Sequence, residues 1–263
     1  MRTKMKFIIG FTVLIFGIVS FSSDGDGIIT PTKTTNSSKI ETFTFSSNGT
    51  TKKGKIFLPA SFETNKNLPA IFLIDYTEQH FKLATDEFEK VIDGVLQIEG
   101  FDALVVTLEN IPDIDAEPET FQEHYEVFKN MASYVDDKYT NNSSRTFIGR
   151  GSESGVVLMT LFLESSETSV FDNFIVTDPS PKYSLAIINL IEKDTIPKNK
   201  LNKKLHISYS TSNNRAICNK LIKLISEAQY LWLQLESIEY TDSNYENTYP
   251  ISYAAGIKYV FNK

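Results

Sequence analysis

From residue 39 onward the chain alternates between two kinds of apolar pattern. Short runs such as A-I-F-L-I (70–74), and the stretch 102–108 (D-A-L-V-V-T-L), are apolar at nearly every position, as strands buried on both faces are. Between them lies 87–98, where Phe88, Val91, Ile92, Val95 and Leu96 fall three and four apart and Gly100 follows, the pattern of an amphipathic helix and its stop. The alternation continues with strands over 144–148, 174–177, 205–209 and 237–240, and helices over 121–139, 155–163, 183–192, 216–228 and 251–261. The opening strands, 39–45 with period-two alternation and 54–58 stopped by Pro59, have no helix between them. Strands that alternate with helices need crossover connections, so the pattern predicts a mostly parallel central sheet between two helical layers. The expected fold class is α/β, a three-layer α/β/α sandwich with antiparallel N-terminal strands, built as one domain over 39–263.

The first 38 residues follow neither pattern. Arg2, Lys4 and Lys6 precede an apolar run of thirteen, Phe7 through Val19, and Ser20-Phe21-Ser22 supplies small residues at a cleavage-like position. A run that short does not span a bilayer comfortably; residues 1–22 read as a secretory signal peptide. The Asp/Gly- and Thr/Ser-rich stretch 23–38 reads as a flexible linker. The expectation is an exported protein, periplasmic or extracellular, with no membrane attachment once the leader is removed. The only cysteine, Cys218, excludes an intrachain disulfide and a lipid-bearing cysteine near the N-terminus, and its helical context reads as a small buried apolar position.

Charge narrows the partners. The formal net charge is −7, and losing a leader with three cations and no acid takes it to −10. Without a basic footprint, nucleic acid is an unsuitable partner. No Cys/His cluster suggests zinc, no glycine loop with Lys-Ser/Thr suggests a nucleotide, and no dinucleotide fingerprint is present, so no cofactor or metal is expected. Asp113, Asp115, Glu117 and Glu119 crowd one loop but lack the spacing and glycine of an EF-hand, and read as solvated.

Several stretches, taken in order, carry a resemblance. K-I-F-L-P followed by L-P-A-I-F-L-I-D, then V-V-T-L-E-N, then S-S-R-T-F-I-G-R-G, then V-F-D-N-F-I-V-T-D-P-S-P, and finally A-A-G-I-K-Y-V-F resemble successive segments of the α/β-hydrolase fold. They are most similar to the esterase branch that includes esterase D-like and siderophore-esterase-like proteins. The resemblance runs from about residue 39 to the end. It implies a nucleophilic serine on a sharp strand-to-helix turn, an acid and a histidine later in the chain, and an oxyanion hole beside the turn.

Each of those implied positions departs from the pattern. Aligning Arg145-Thr146 through Gly149 puts Gly151 at the nucleophile position and Glu153 where a second glycine belongs. Ser152 and Ser154 each keep one small neighbour and lose the other; they read as caps for the following helix, and as the fallback nucleophiles if the turn is displaced. The histidine position falls in 241–250, where spacing back from Pro250 selects Tyr245, a poor base. His80 and His124 precede the turn, and His206 lies within a strand before the expected acid. The loop after 205–209 carries Asn213 and Asn214 instead of a carboxylate, and Tyr76 replaces the glycine after Asp75. Gly151 and Tyr245 are therefore expected to be vestigial, and no catalytic residue is expected. The functional expectation is an exported pseudoenzyme, a pseudo-esterase that binds an unknown small ligand or protein. The alternative is an active serine hydrolase on an ester or acyl substrate, using Ser152 or Ser154 with an unusual base such as Glu153. A purely structural interaction module is the third reading.

Overall fold

The computed structural model describes residues 37–75, 81–109 and 117–261. The predicted leader and most of the linker lie outside them, as do Tyr76, His80, Asp113 and Asp115. Eight strands form one sheet: β1 (Lys39–Ser47), β2 (Thr50–Leu58), β3 (Ala70–Ile74), β4 (Leu104–Leu108), β5 (Arg145–Arg150), β6 (Asn173–Thr177), β7 (Lys203–Ser210) and β8 (Leu233–Tyr240). Their order is β1-β2-β4-β3-β5-β6-β7-β8. β2 is antiparallel to both neighbours, and every pairing from β4 to β8 is parallel. The six α-helices of the described residues are α1 (Phe81–Leu96), α2 (Phe121–Lys138), α3 (Gly151–Leu163), α4 (Pro181–Glu192), α5 (Arg215–Glu227) and α6 (Tyr245–Phe261). None of the described helices is long and apolar enough to cross a membrane.

The continuous apolar runs are central strands: every residue of β3, β4 and β6 is buried. Two cores result. On one face Phe88, Val91 and Val95 of α1 meet Tyr253 and Ile257 of α6 over Ile71, Val105 and Ile175. On the other, α2, α3, α4 and α5 cover Phe72, Phe147 and Leu205 with residues such as Phe128, Leu161, Ile187 and Leu221.

Several boundaries differ from the pattern's expectation: α1 begins at Phe81 instead of 87, and β8 at Leu233 instead of 237. β2 begins at Thr50, four residues early, because Asn48 (φ 50°) and Gly49 (φ 73°) form a two-residue turn that pairs Ser47 with Thr50 and pulls polar residues into the ladder. α3 begins at Gly151, not at 155. α6 begins at Tyr245, so 245–250 is helix where a loop was expected. Asn244 makes this possible by accepting the free N–H groups of Glu246 (2.9 Å) and Asn247 (3.2 Å), and the helix carries Pro250 inside it.

The chain steps from β3 to β4 on one side and then to β5 on the other. That reversal leaves a crevice at the carboxyl ends of β3 and β5, the place where open α/β sheets bind ligands.

Candidate functional site

Ile74 ends β3 with Asp75 next, and Arg150 ends β5. Gly151 follows with φ 64°, a left-handed conformation that L side chains rarely adopt, and the chain turns at once into α3. Gly149, two residues earlier, packs so closely on the first turn of α3 that an added Cβ would lie 3.0 Å from the Glu153 carbonyl carbon. The turn thus has the shape of a nucleophile elbow, and glycine stands at its apex.

The space where a side chain at 151 would project is taken. A Cβ there would overlap the Tyr245 hydroxyl. The structure therefore brings Gly151 and Tyr245 together. It does not bring the serines to the apex. Ser154 is fully buried and donates to the Gly151 carbonyl (2.8 Å), which also accepts the Ser180 N–H (3.0 Å). Ser152 is partly exposed, and its hydroxyl makes no hydrogen bond with the described residues. The capping expectation is corrected: the residue before the helix is Arg150, whose side chain makes no cap bond. Because the left-handed turn starts the helix at Gly151, both serines lie inside its first turn, and Ser154 reaches back to a carbonyl instead of a free N–H.

Arg150 organises the crevice. Its Nη2 lies 2.5 Å from Glu87 Oε1, its Nη1 donates to the Tyr245 carbonyl (3.1 Å), and its guanidinium sits 4.5 Å from the ring centres of both Tyr245 and Tyr249. Glu87 is buried on α1, and its other oxygen accepts from the Tyr253 hydroxyl (2.8 Å). Burial pushes the Glu87 carboxyl up to about 7, with Arg150 opposing and Asp75 adding to the rise. Burial likewise pushes Glu153 up to about 7, aided by Glu87 and Asp75. Tyr245 is pushed up to about 12, chiefly by burial, so its phenol is no base near neutral pH. Among the described residues, Ile74, Asp75, Glu87, Arg150, Glu153 and Tyr245 line a hollow of about 10 Å³, the room of about one water. Larger hollows lie elsewhere: about 460 Å³ beside Ile40, Phe57 and Leu96, and about 480 Å³ along β8 and α6.

The histidines of the described residues serve elsewhere. His206 is fully buried beneath α6, with Nδ1 2.7 Å from Glu236 Oε2, and His124 is fully buried in α2. A carboxylate does reach the loop after β7, although that loop supplies none itself. Asp178, at the end of β6 and in a left-handed conformation (φ 48°), accepts from the Ser210 N–H (2.6 Å), the Ser210 hydroxyl (2.9 Å) and Asn213 (3.4 Å). Its second oxygen is buried without a hydrogen bond. Sequence reasoning missed Asp178; its only signal is the Asp-Pro step closing a strand. Among the described residues no cluster of three or more His, Cys, Asp or Glu could hold a metal ion.

No protein-family model and no curated protein matches the sequence. Solved structures do. An IroE-like serine hydrolase from Shewanella oneidensis superposes with a TM-score of 0.68 at 14% identity, over 85% of this chain and 80% of that one. The siderophore hydrolase EstA from Aspergillus nidulans gives 0.59 at 14% identity, over 90% and 97%. The chain has the α/β-hydrolase fold. An uncharacterised Capnocytophaga ochracea protein gives 0.66 at 14% identity; 84% of this chain matches, spanning 63% of that longer one. The α/β-hydrolase fold, with its turn after β5, is thus the frame in which Gly151 and Tyr245 meet.

Proposed function

We propose that this protein is an exported, catalytically inactive α/β-hydrolase-fold protein, a pseudo-esterase whose role is binding. One observation carries the reading: the apex of the β5–α3 turn is a glycine, and the Tyr245 hydroxyl occupies the space a nucleophile would need. Three further features support it. Ser154 is turned inward to a carbonyl. His206 is bonded to Glu236 beneath α6. Among the described residues, the hollow beside Arg150 has room for about one water. A closed crevice favours a protein partner on the surface around it over a small molecule within it. The leader-like residues 1–22 support export, and removal of that segment would be seen as a mature N-terminus near Ser23 in protein recovered outside the cytoplasm.

In an esterase, loss of the serine and the histidine removes several orders of magnitude of rate. The purified protein is therefore expected to leave a fluorophosphonate probe unreacted and to hydrolyse p-nitrophenyl acetate no faster than its Ser152→Ala and Ser154→Ala variants. Covalent labelling abolished by either substitution would replace this reading with that of a working serine hydrolase.

A further inference from the structure

β8 is one margin of the sheet and, among the described residues, pairs only with β7. Lys203 stands in register with Leu233, and its N–H donates to the Trp232 carbonyl (2.7 Å). In a parallel ladder a residue bonds to the two residues flanking its register partner, so Gln234, Glu236, Ile238 and Tyr240 turn their main-chain groups toward β7. Main-chain direction alternates along a strand, so Leu235, Ser237 and Glu239 turn theirs outward. No described strand or loop takes those outward groups.

Exposed edges are usually blunted by proline, lysine, a bulge or a covering element. The strand L-Q-L-E-S-I-E-Y contains neither proline nor lysine, and its register with β7 runs unbroken from Leu233 to Tyr240. Its charges are drawn back toward its own subunit. On the α5 side Glu239 lies 2.9 Å from Arg215, and on the α6 side Glu236 lies 2.7 Å from His206. What the margin offers outward is therefore main chain.

We propose that β8 is a self-association surface, on which a second copy of this chain adds its own β8 antiparallel, with the two-fold axis through Ser237. The order of residues favours a second copy over an unrelated strand. Rotation about Ser237 carries the outward set onto itself: Ser237 meets Ser237, and Leu235 meets Glu239 of the second copy, so every outward N–H of these residues faces an outward carbonyl. Centring the pair on Glu236 or Glu239 would set identical carboxylates directly opposite each other. Centring it on Ile238 would place Leu235 against Thr241, beyond the end of the strand. With the axis at Ser237, Glu236 faces Ile238 and Glu239 faces Leu235, so neither carboxylate opposes its twin. A groove of about 480 Å³ also runs along the α6 side of β8, lined by Gln234, Glu236, Ile238, Ala255 and Tyr259 among others. Ile238 and Tyr240 of the second copy fall opposite Glu236 and Gln234 and cover it.

The pairing has a consequence for the β5–α3 turn. β5 through β8 are parallel, so their carboxyl ends share one margin. An antiparallel joint sends the two turns to opposite margins of one continuous sheet, and the dimer presents that surface twice. The inference goes beyond the non-hydrolytic reading and stands apart from it, since β8 supplies no residue of the turn.

Sedimentation of the purified protein at micromolar concentration is expected to give twice the chain mass. Ser237→Pro removes an outward N–H while leaving the bonds to β7 in place, and is expected to weaken association about tenfold or more. Should that variant fail to fold, Ser237→Cys decides. The α-carbons of a hydrogen-bonded antiparallel pair lie about 5.5 Å apart, within disulfide reach, and the native Cys218 is buried. Mild oxidation is therefore expected to give a reducible covalent dimer with Ser237→Cys and none with Ile238→Cys. A wild type that stays monomeric at its highest soluble concentration overturns the proposal. So do open-ended assemblies, which would mean that β8 pairs with β1 at the other margin, and cross-linking through Ile238→Cys in place of Ser237→Cys.

Discussion

The two ends of the sheet bury ionic clusters of opposite composition. At the carboxyl end, one Arg150 faces Asp75, Glu87 and Glu153. At the amino end, Lys200 and Lys203 surround one carboxylate, Glu164. There one Glu164 oxygen is fully partnered, while Oε2 is buried without a hydrogen bond. Glu164 Oε1 accepts from the Val170 N–H (2.9 Å) and the Tyr125 hydroxyl (3.0 Å), and Lys203 lies 3.7 Å from its other oxygen. Lys203 also donates to the Ser169 hydroxyl and the Phe171 carbonyl, while Lys200 donates to the carbonyls of Leu161 (2.8 Å) and Glu164. Backbone carbonyls absorb the surplus positive charge, so the lower cluster staples the 164–170 loop to α2, α3 and β7. In the upper cluster Arg150 and the Tyr253 hydroxyl serve Glu87, and burial pushes both Glu87 and Glu153 up to about 7. The first arrangement suits permanent structure; the second suits a state that changes with protons.

Removing Lys203 is the sharpest way to break this comparison. Its side chain and that of Glu164 are each 2% exposed. Lys203→Met leaves a buried carboxylate without its cation, and urea unfolding is expected to show a loss of about 3–5 kcal/mol. The upper cluster answers differently because Glu87 can protonate. Arg150→Met is expected to cost about 1 kcal/mol at pH 5.5 and about 2–3 kcal/mol at pH 8.5, where Glu87 must ionise alone. A pH-independent cost for Arg150→Met would mean that the two ends are chemically alike.

How much of this was legible beforehand depends on the range of the interaction. The strands at 70–74 and 102–108 declare themselves because burial on both faces demands apolar residues in sequence. The start of α6 does not, since Pro250 reads as a boundary and the cap that overrides it, Asn244, is a single polar residue in a polar loop. The Arg150–Glu87 pair links β5 to α1 across 63 positions with no periodicity to mark it. Its partners on α6 become adjacent only through the sheet order. Asp178 was missed for the same reason: its carboxylate serves a loop that belongs to the next strand. Gly151 was visible, because a glycine where a strand hands over to a helix stands out against the esterase-like pattern.

Gly151→Ser restores a hydroxyl to the apex and tests whether the upper end is merely one residue short of chemistry. The serine must adopt φ near 64° and displace the Tyr245 hydroxyl. A stability loss of about 1–2 kcal/mol is expected, with no fluorophosphonate labelling, because no imidazole of the described residues stands ready to take the proton. Adding Tyr245→Ala relieves the overlap and is expected to recover part of the stability but no activity.

The smallest effect separates the clusters by the direction of their pH response. His206 lies under Gly256 of α6, with Nδ1 bonded to Glu236 and Nε2 buried without a partner. Nδ1 therefore carries the proton of the neutral ring, and protonating Nε2 would bury an N–H with no acceptor. Burial lowers its pKa below the usual histidine value, with Glu236 opposing. A depressed histidine contributes stability that is full above about 6.5 and is lost as pH falls through the folded value. Glu87 and Glu153 lose theirs as pH rises through about 7. Wild type should thus lose thermal stability in both directions, His206→Gln should flatten only the acid limb, and Glu153→Gln only the alkaline one. If His206→Gln flattened the alkaline limb as well, α6 would be transmitting one titration to both sites.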